Sequence, residues 1–263
     1  MIHKHIKLTI TIYFTIMLLT GCQSEETIEI EPPPPQEVEQ LSSREVERMS
    51  VGHSPGDKNF TITDEQAEIL SKSSNTTRLF LRGLVSVTDE QAESLSKFEG
   101  LSKHNAHLDL DGLTSLSDEQ AQSLSKFEGR LGLNGLTSIT DEQAQSLSKF
   151  EGRLGLNGLT SITDEQAESL SKVKDRLDLN GLISLSDKQA ESLSKVEWLL
   201  LGITSINDKQ AESLSKVTRL YLANRLDSLS NNQAKSLSKV QDLRVNTANQ
   251  DLMDKHKNLP GDN

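Results

Sequence analysis

Aromatic residues make up only 3% of this 263-residue chain: one tryptophan, two tyrosines and six phenylalanines. Hydrophobic side chains of all kinds reach 34%. That supply is thin for one compact core, yet adequate for a narrow aliphatic core repeated along a line. Cys22 is the only cysteine, which excludes a disulfide within the chain. Positive charge is also short: 28 Lys and Arg stand against 39 Asp and Glu, a formal net charge of −11. Such an excess disfavours sequence-independent binding to nucleic acid or to an anionic membrane surface. The apolar stretch from Leu8 to Leu19 is too short to span a bilayer comfortably. Nucleophile-elbow, phosphate-loop and zinc-protease spacings are all missing, so no catalytic residue, cofactor or resident metal is expected.

What the chain has in abundance is one phrase, Gln-Ala-x-x-Leu-Ser-Lys. Eight copies begin at Gln66, Gln91, Gln120, Gln143, Gln166, Gln189, Gln210 and Gln233, with gaps of 25, 29, 23, 23, 23, 21 and 23 residues. A period in this range marks a solenoid, because one such unit cannot bury its apolar face alone. The residue three before each glutamine is Thr63, Thr88, Ser117, Thr140, Thr163, Ser186, Asn207 or Ser230. Each is a good helix N-cap, and Gln in the third helical position completes a capping box. The following Asp and Glu suit the positive end of a helix dipole. Each unit is therefore expected to start a short helix with its Ala and Leu, such as Ala144 and Leu147, on the buried face. The serines that recur in the phrase read as solvated helix positions.

The other half of the unit reads as strand and turn. In Arg130-Leu-Gly-Leu-Asn-Gly-Leu136, and again at 153–159, leucines alternate with wet residues before Asn-Gly ends the strand. Counting ten, eight, five and two residues back from the first acidic helix residue places the aliphatic set in most units. In the sixth unit that count selects Trp198, Leu200, Ile203 and Ile206, and in the seventh Tyr221, Ala223, Leu226 and Leu229. A one-residue slip would instead bury Leu199 and Leu201, or Leu220 and Leu222, because it turns every side chain to the other face. Whichever of these leucines stay exposed offer the C-terminal units a means of self-association. Phe60 and the first helix are expected to cap the array, Leu243 and Val245 to form a last strand, and residues 248–263 to be a polar tail.

The Leu-x-Leu-x-x-Leu-x-x-Ile spacing followed by a helix resembles the leucine-rich repeat family over residues 58–247. The resemblance implies an α/β solenoid of about eight repeats, with a parallel sheet on the concave face and short helices on the convex face. One departure stands out. The family commonly places an inward asparagine where this chain has Leu84, Leu113, Leu136, Leu159, Leu182, Ile203 or Leu226, so aliphatic packing is expected in place of an asparagine ladder. Units 130–147 and 153–170 differ only at Gln145 against Glu168, the mark of a recent duplication.

Residues 1–22 resemble a bacterial lipoprotein signal. Lys4 and Lys7 form a basic start, an apolar stretch follows, and Leu19-Thr20-Gly21-Cys22 matches the lipobox. The resemblance implies removal of residues 1–21 and a thioether-linked diacylglycerol on Cys22, with an amide-linked acyl chain such as palmitate. Several chains anchor a protein far more firmly than one. Gln23, in place of aspartate, would direct such a protein to the outer membrane in a Gram-negative cell. Cleavage would take the net charge to −13. Residues 22–57, with Pro32–Pro35 among glutamates, are expected to be a stiff acidic tether. Residues 36–49 have the makings of a short helix but too little apolar content for a core.

The candidate site is a surface. Strand residues facing away from the core form columns: His107, Arg130, Arg153 and Arg176 in one, Asp111, Asn134, Asn157 and Asn180 in another. Neighbouring strands lie about 4.8 Å apart, so stacked arginines need counter-charges or an anionic partner. Arginine offers paired hydrogen bonds to a carboxylate, as asparagine does to polar groups. Glu128, Glu151 and Asp178 are the nearby carboxylates that would otherwise satisfy them. Gly132 and Gly155 leave room for a ligand to reach the backbone. His104 and His107 are too few for a metal site. Asp109, Asp111, Gly112 and Asp118 imitate a calcium loop but lack its first and last ligands. The chain thus reads as a lipid-anchored, non-catalytic recognition module of the cell envelope, binding protein or an anionic glycan. The competing reading is a structural envelope lipoprotein without a discrete ligand.

Overall fold

The computed structural model describes residues 39–50, 58–223 and 225–257. The lipobox with Cys22, the proline run and His53 lie outside them. The chain opens with β1 (Glu39–Gln40) and α1 (Ser43–Ser50), then β2 (Phe60–Thr61) and α2 (Asp64–Ser71). Seven strand–helix units follow: β3 (Arg78–Phe80) and α3 (Asp89–Ser96), β4 (His107–Asp109) and α4 (Asp118–Leu124), β5 (Arg130–Gly132) and α5 (Asp141–Leu147), β6 (Arg153–Gly155) and α6 (Asp164–Leu170). The last three are β7 (Arg176–Leu179) and α7 (Asp187–Leu193), β8 (Trp198–Leu201) and α8 (Asp208–Leu214), β9 (Arg219–Leu222) and α9 (Asn231–Leu237). The described chain ends with β10 (Asp242–Arg244) and α10 (Thr247–Lys257).

Strands β3 to β10 form one parallel sheet in sequence order, each hydrogen-bonded to the next. Helices pack at about 8–10 Å and strands at about 4.8 Å, so the helix side must be the longer arc and the sheet lines the inside. This is the α/β solenoid, with a parallel sheet inside and short helices outside, that the resemblance in strand spacing implied.

The invariant phrase has a separate task for nearly every residue. All eight helices from α2 to α9 carry the expected capping box. The glutamine also does something the sequence pattern did not disclose. Its Nε2 donates to a backbone carbonyl of the preceding unit at 2.7–3.0 Å, as Gln143 does to Leu116 and Gln166 to Ile139. The N-cap side chain likewise reaches back, for example from Thr140 Oγ1 to Asp118 Oδ1 at 3.2 Å. Alanine and leucine are buried to the last atom in every unit. The serine after the leucine is no idle solvated position: Ser125 Oγ donates to the Gln122 carbonyl and Ser148 Oγ to that of Gln145, satisfying helix C-terminal acceptors. Phe98, Phe127 and Phe150 stack at 6.5 Å between successive ring centres. Val173, Val196, Val217 and Val240 continue that buried column.

The aliphatic count holds for the first five units and slips in the sixth and seventh. There Leu199, Leu201, Leu220 and Leu222 are buried, while Trp198 and Tyr221 face the open side of the sheet. The cause is turn length. Leu179 and Leu182 are separated by Asn180-Gly181, whereas only Gly202 separates Leu201 from Ile203, and three residues separate Leu222 from Leu226. Counting from the helix therefore fails at the turn. With all four leucines buried, the self-association expected of them has no exposed surface to act through.

Both ends differ from expectation. The tether expected over residues 22–57 gives way at residues 39–50, where the chain joins the array. β1 pairs parallel with β2, and Leu41, Val46 and Met49 are buried. Ser42 and Glu45 close a capping box, and Leu41 and Val46 flank it as a hydrophobic staple. The polar tail expected from residue 248 begins as part of α10, which buries Met253 and Asn249. Asn249 Oδ1 accepts from Leu229 N at 3.0 Å and its Nδ2 donates to Asp227 O at 2.9 Å. Each terminal unit thus covers the open end of the core, as a solenoid requires.

Candidate functional site

Strand register assembles three columns on the open face of the sheet. The first runs Arg78, His107, Arg130, Arg153, Arg176, Trp198, Arg219 and Asp242. It contains the expected His107–Arg176 run and lengthens it at both ends. The second runs Phe80, Asp109, Gly132, Gly155, Asp178, Leu200, Tyr221 and Arg244. The third is the Asp111, Asn134, Asn157, Asn180 series at the turns.

The third column is a hydrogen-bonded ladder. Asn134 N and Nδ2 donate to Asp111 Oδ1 at 3.0 and 2.7 Å. Asn157 N and Nδ2 donate to Asn134 Oδ1 at 2.9 and 2.7 Å, and Asn180 N donates to Asn157 Oδ1 at 2.8 Å. The asparagine ladder expected to be missing is therefore present, displaced to the turn position. It ends at Asn180, whose buried Oδ1 has no partner among the described residues. The next unit offers Gly202 in its shortened turn and no further rung. The ladder also accounts for the two glycines. A Cβ on Gly132 would stand 2.7 Å from Asp111 Oδ1, and one on Gly155 would stand 3.0 Å from Asn134 Oδ1. These glycines make room for the ladder, and both are buried beneath the face.

The arginines divide into two groups. Arg153 donates through Nε and Nη2 to Asp178 Oδ2 at 2.8 and 2.6 Å, and Arg176 Nε donates to Asp178 Oδ1 at 2.6 Å. Asp178 is 2% exposed, so this clamp compensates a buried carboxylate. Asp109, 1% exposed, is similarly held by Arg82 Nε at 2.6 Å. Burial nevertheless keeps the Asp109 carboxyl above its ordinary range, outweighing the Arg82 hydrogen bond. Arg78, Arg130 and Arg219 are exposed and form no ion pair among the described residues. Burial, followed by the charges of Arg153, Arg176 and Arg78 and against that of Asp178, pulls Arg130 below the usual guanidinium range. Of the three arginines singled out from sequence, then, Arg130 alone is uncommitted, and Arg78 and Arg219 join it.

Two hollows lie along the first column. One, of about 450 Å3, is lined by Arg78, His107, Arg130, Arg153, Glu128 and Glu151, among others. His107 sits between Arg78 and Arg130 with its ring edge-on to Phe80 at 6.5 Å. Burial first, then the charges of Arg130, Arg78 and Arg153, lower its pKa to about 4 against a smaller upward pull from Asp111. His107 is therefore neutral at pH 7. The other hollow, about 220 Å3, is lined by Arg176, Trp198, Arg219, Tyr221 and Arg244. The Arg176 and Arg219 guanidiniums stand 4.2 and 5.2 Å from the Trp198 ring centre, within cation–π range.

His104 lies in a single 3-10 turn, Lys103–Asn105, and does not join His107 in a ligand set. Among the described residues no three His, Cys, Asp or Glu side chains are grouped to hold a metal. The residues that imitate a calcium loop are otherwise engaged: Asp109 with Arg82, Asp111 at the head of the ladder, Asp118 with Thr140.

No protein-family description matches the sequence, and no curated protein matches it. Among solved structures, the chain is similar to an internalin from Listeria monocytogenes at 16% identity and a TM-score of 0.31, covering 73% of each chain.

Proposed function

We propose that this chain is a non-catalytic recognition module, carried on a lipid anchor at Cys22 at the bacterial cell envelope, that binds an anionic partner through the sheet face. The observation that carries this reading is the set of guanidiniums with no ion pair among the described residues, Arg78, Arg130 and Arg219, aligned in one column of an otherwise acidic protein. Arg130 also lies directly beside Arg153 on the next strand, and guanidiniums stacked at about 4.8 Å repel one another unless an anion offsets them. The lipobox resemblance supports the anchor, and a recruiting role at a surface needs no catalytic group. Protein is the favoured partner class, with an anionic glycan as the rival. The test is capture from envelope extract by the full chain and by its Arg78→Glu/Arg130→Glu/Arg219→Glu form, with circular dichroism confirming the fold. A partner retained by the first and lost by the folded variant supports the reading. Equal capture by both would move the site elsewhere, and capture of nothing would favour the structural role.

A further inference from the structure

We infer that the 450 Å3 hollow between β3 and β6 is a seat for a carboxylate of an acidic protein segment, gripped by Arg78 and Arg130 on either side of His107. This rests on the recognition reading above and assigns it a place and a ligand chemistry. Two of the carboxylates that could have quenched these arginines are committed elsewhere: Glu128 pairs with Lys103 at 2.9 Å, and Glu151 pairs with Lys174. Asp178 is occupied by Arg153 and Arg176. Asp175 is the remaining acidic group on the rim, at the β7 end, and is farther along the column than Arg78 and His107. Arg78 and Arg130 flank β4, so their strands are about 10 Å apart, two strand spacings. An incoming carboxylate meets two full charges and a neutral imidazole able to donate one N–H.

The same face argues for peptide over sugar. Sugar rings are held by open aromatic faces and by free amides that bond hydroxyls. The single tryptophan has guanidiniums over its ring, and the Asn134 and Asn157 side-chain amides are spent on the ladder. What the face leaves free is guanidinium, which suits carboxylate.

The test titrates the full chain with a hexaglutamate peptide, with polygalacturonate in a parallel arm. Binding is read by calorimetry, and His107 is followed by NMR, its signal assigned through His107→Gln. The expected result is peptide binding that weakens as salt rises and falls about tenfold or more in Arg78→Gln/Arg130→Gln. Lys149→Gln, which removes an exposed cation just past the end of α5 on the helix side, should change it less than about twofold by the same reckoning. A bound carboxylate offsets the two arginine charges, so the His107 titration must move upward from about 4. Peptide binding unaffected by the double variant, or without movement of His107, overturns the seat. Loss confined to Arg219→Gln also overturns it while leaving recognition by the sheet face standing. Polygalacturonate bound in preference to the peptide replaces the protein ligand by a glycan. Failure of both probes, alongside successful capture of a partner by the full chain, rejects the seat but not the recognition role.

Discussion

Gln143 offers a sharp test of why one phrase is repeated eight times. Its Oε1 accepts from Thr140 N at 3.0 Å and its Nε2 donates to Leu116 O of the preceding unit at 2.8 Å. The side chain is 7% exposed, so neither partner has ready access to water once it is removed. Gln143→Ala orphans both backbone groups, each at about 1–3 kcal/mol, less a few tenths for the better helix propensity of alanine. The expected loss is about 2–5 kcal/mol. Gln143→Glu separates the two tasks. A capping box accepts Glu as readily as Gln, and a carboxylate near a helix N-terminus is favourable. If capping were the whole role, the variant would match or exceed the parent. Here the second oxygen is turned toward Leu116 O, which loses its donor and faces another acceptor. We expect Gln143→Glu to cost about 1–3 kcal/mol, less than Gln143→Ala. Urea denaturation followed at 222 nm gives the ordering. A Gln143→Glu chain as stable as the parent would refute the claim that this side chain ties the units together.

Three further outcomes follow from the geometry. His107 has a folded pKa of about 4 against 6.5 unfolded, so the unfolded chain takes up its proton first as pH falls. Its contribution is absent above pH 6.5 and destabilises the fold progressively down to pH 4, by up to about 3 kcal/mol. The difference between parent and His107→Gln urea midpoints across that window should show it, and a flat difference would contradict it. Asn157 is an interior rung and Asn180 the last, so Asn157→Ala should cost about 1–3 kcal/mol and Asn180→Ala much less, as thermal melts can rank. Met49 is 1% exposed against the first helices, so Met49→Asp should lower stability by about 3 kcal/mol or more and uncover apolar surface to a dye such as ANS.

The parts of the fold that repeat within one unit were legible, because they follow from local chemistry. Thr140, Asp141 and Gln143 specify a helix start wherever they occur, and Leu131 and Leu133 specify a strand with one dry side. Contacts between units were harder to see. The second bond of Gln143 joins residues 27 positions apart, and each rung of the Asp111–Asn134–Asn157–Asn180 ladder joins residues 23 apart. Neither leaves a trace in spacing beyond the repeat itself. Gly132 reads as space for a ligand until Asp111 is seen leaning over it. The run Leu199-Leu200-Leu201 has no alternation to fix its register, and a one-residue turn defeats counting from the helix. The N-terminal cap was written in Leu41-Ser42-x-x-Glu45-Val46, a capping box with its staple, but sparse apolar content hid it. At the site, the columns could be laid out from the repeat. Which arginines stay free could not, since it depends on Asp178 accepting two of them at once.

The eight copies also serve as one another's comparison. Positions that hold the units together scarcely change, whereas the first two sheet columns pass from Arg78 and Phe80 through His107 and Asp109 to Trp198 and Leu200. Fold and face should therefore be separable by removing one unit. Deleting residues 153–175 joins Gly152 to Arg176 and leaves every cap, leucine and turn in phase. Asn180 N would meet Asn134 Oδ1 in place of Asn157 Oδ1, and Arg130 would occupy the place of Arg153 beside Asp178. Stability in a solenoid is close to a sum over units and nearest neighbours, so the shortened chain should fold with unchanged helicity per residue and a modestly lower urea midpoint. Its sheet face changes in kind, because Arg130 is then spent on Asp178 and Arg78 is left alone beside His107. Hexaglutamate binding should fall by as much as in Arg130→Gln although nothing at β3 or β4 has been touched. A shortened chain that folds and binds like the parent would show that Arg130 is not held by its place in the register; one that fails to fold would show that the units are not interchangeable.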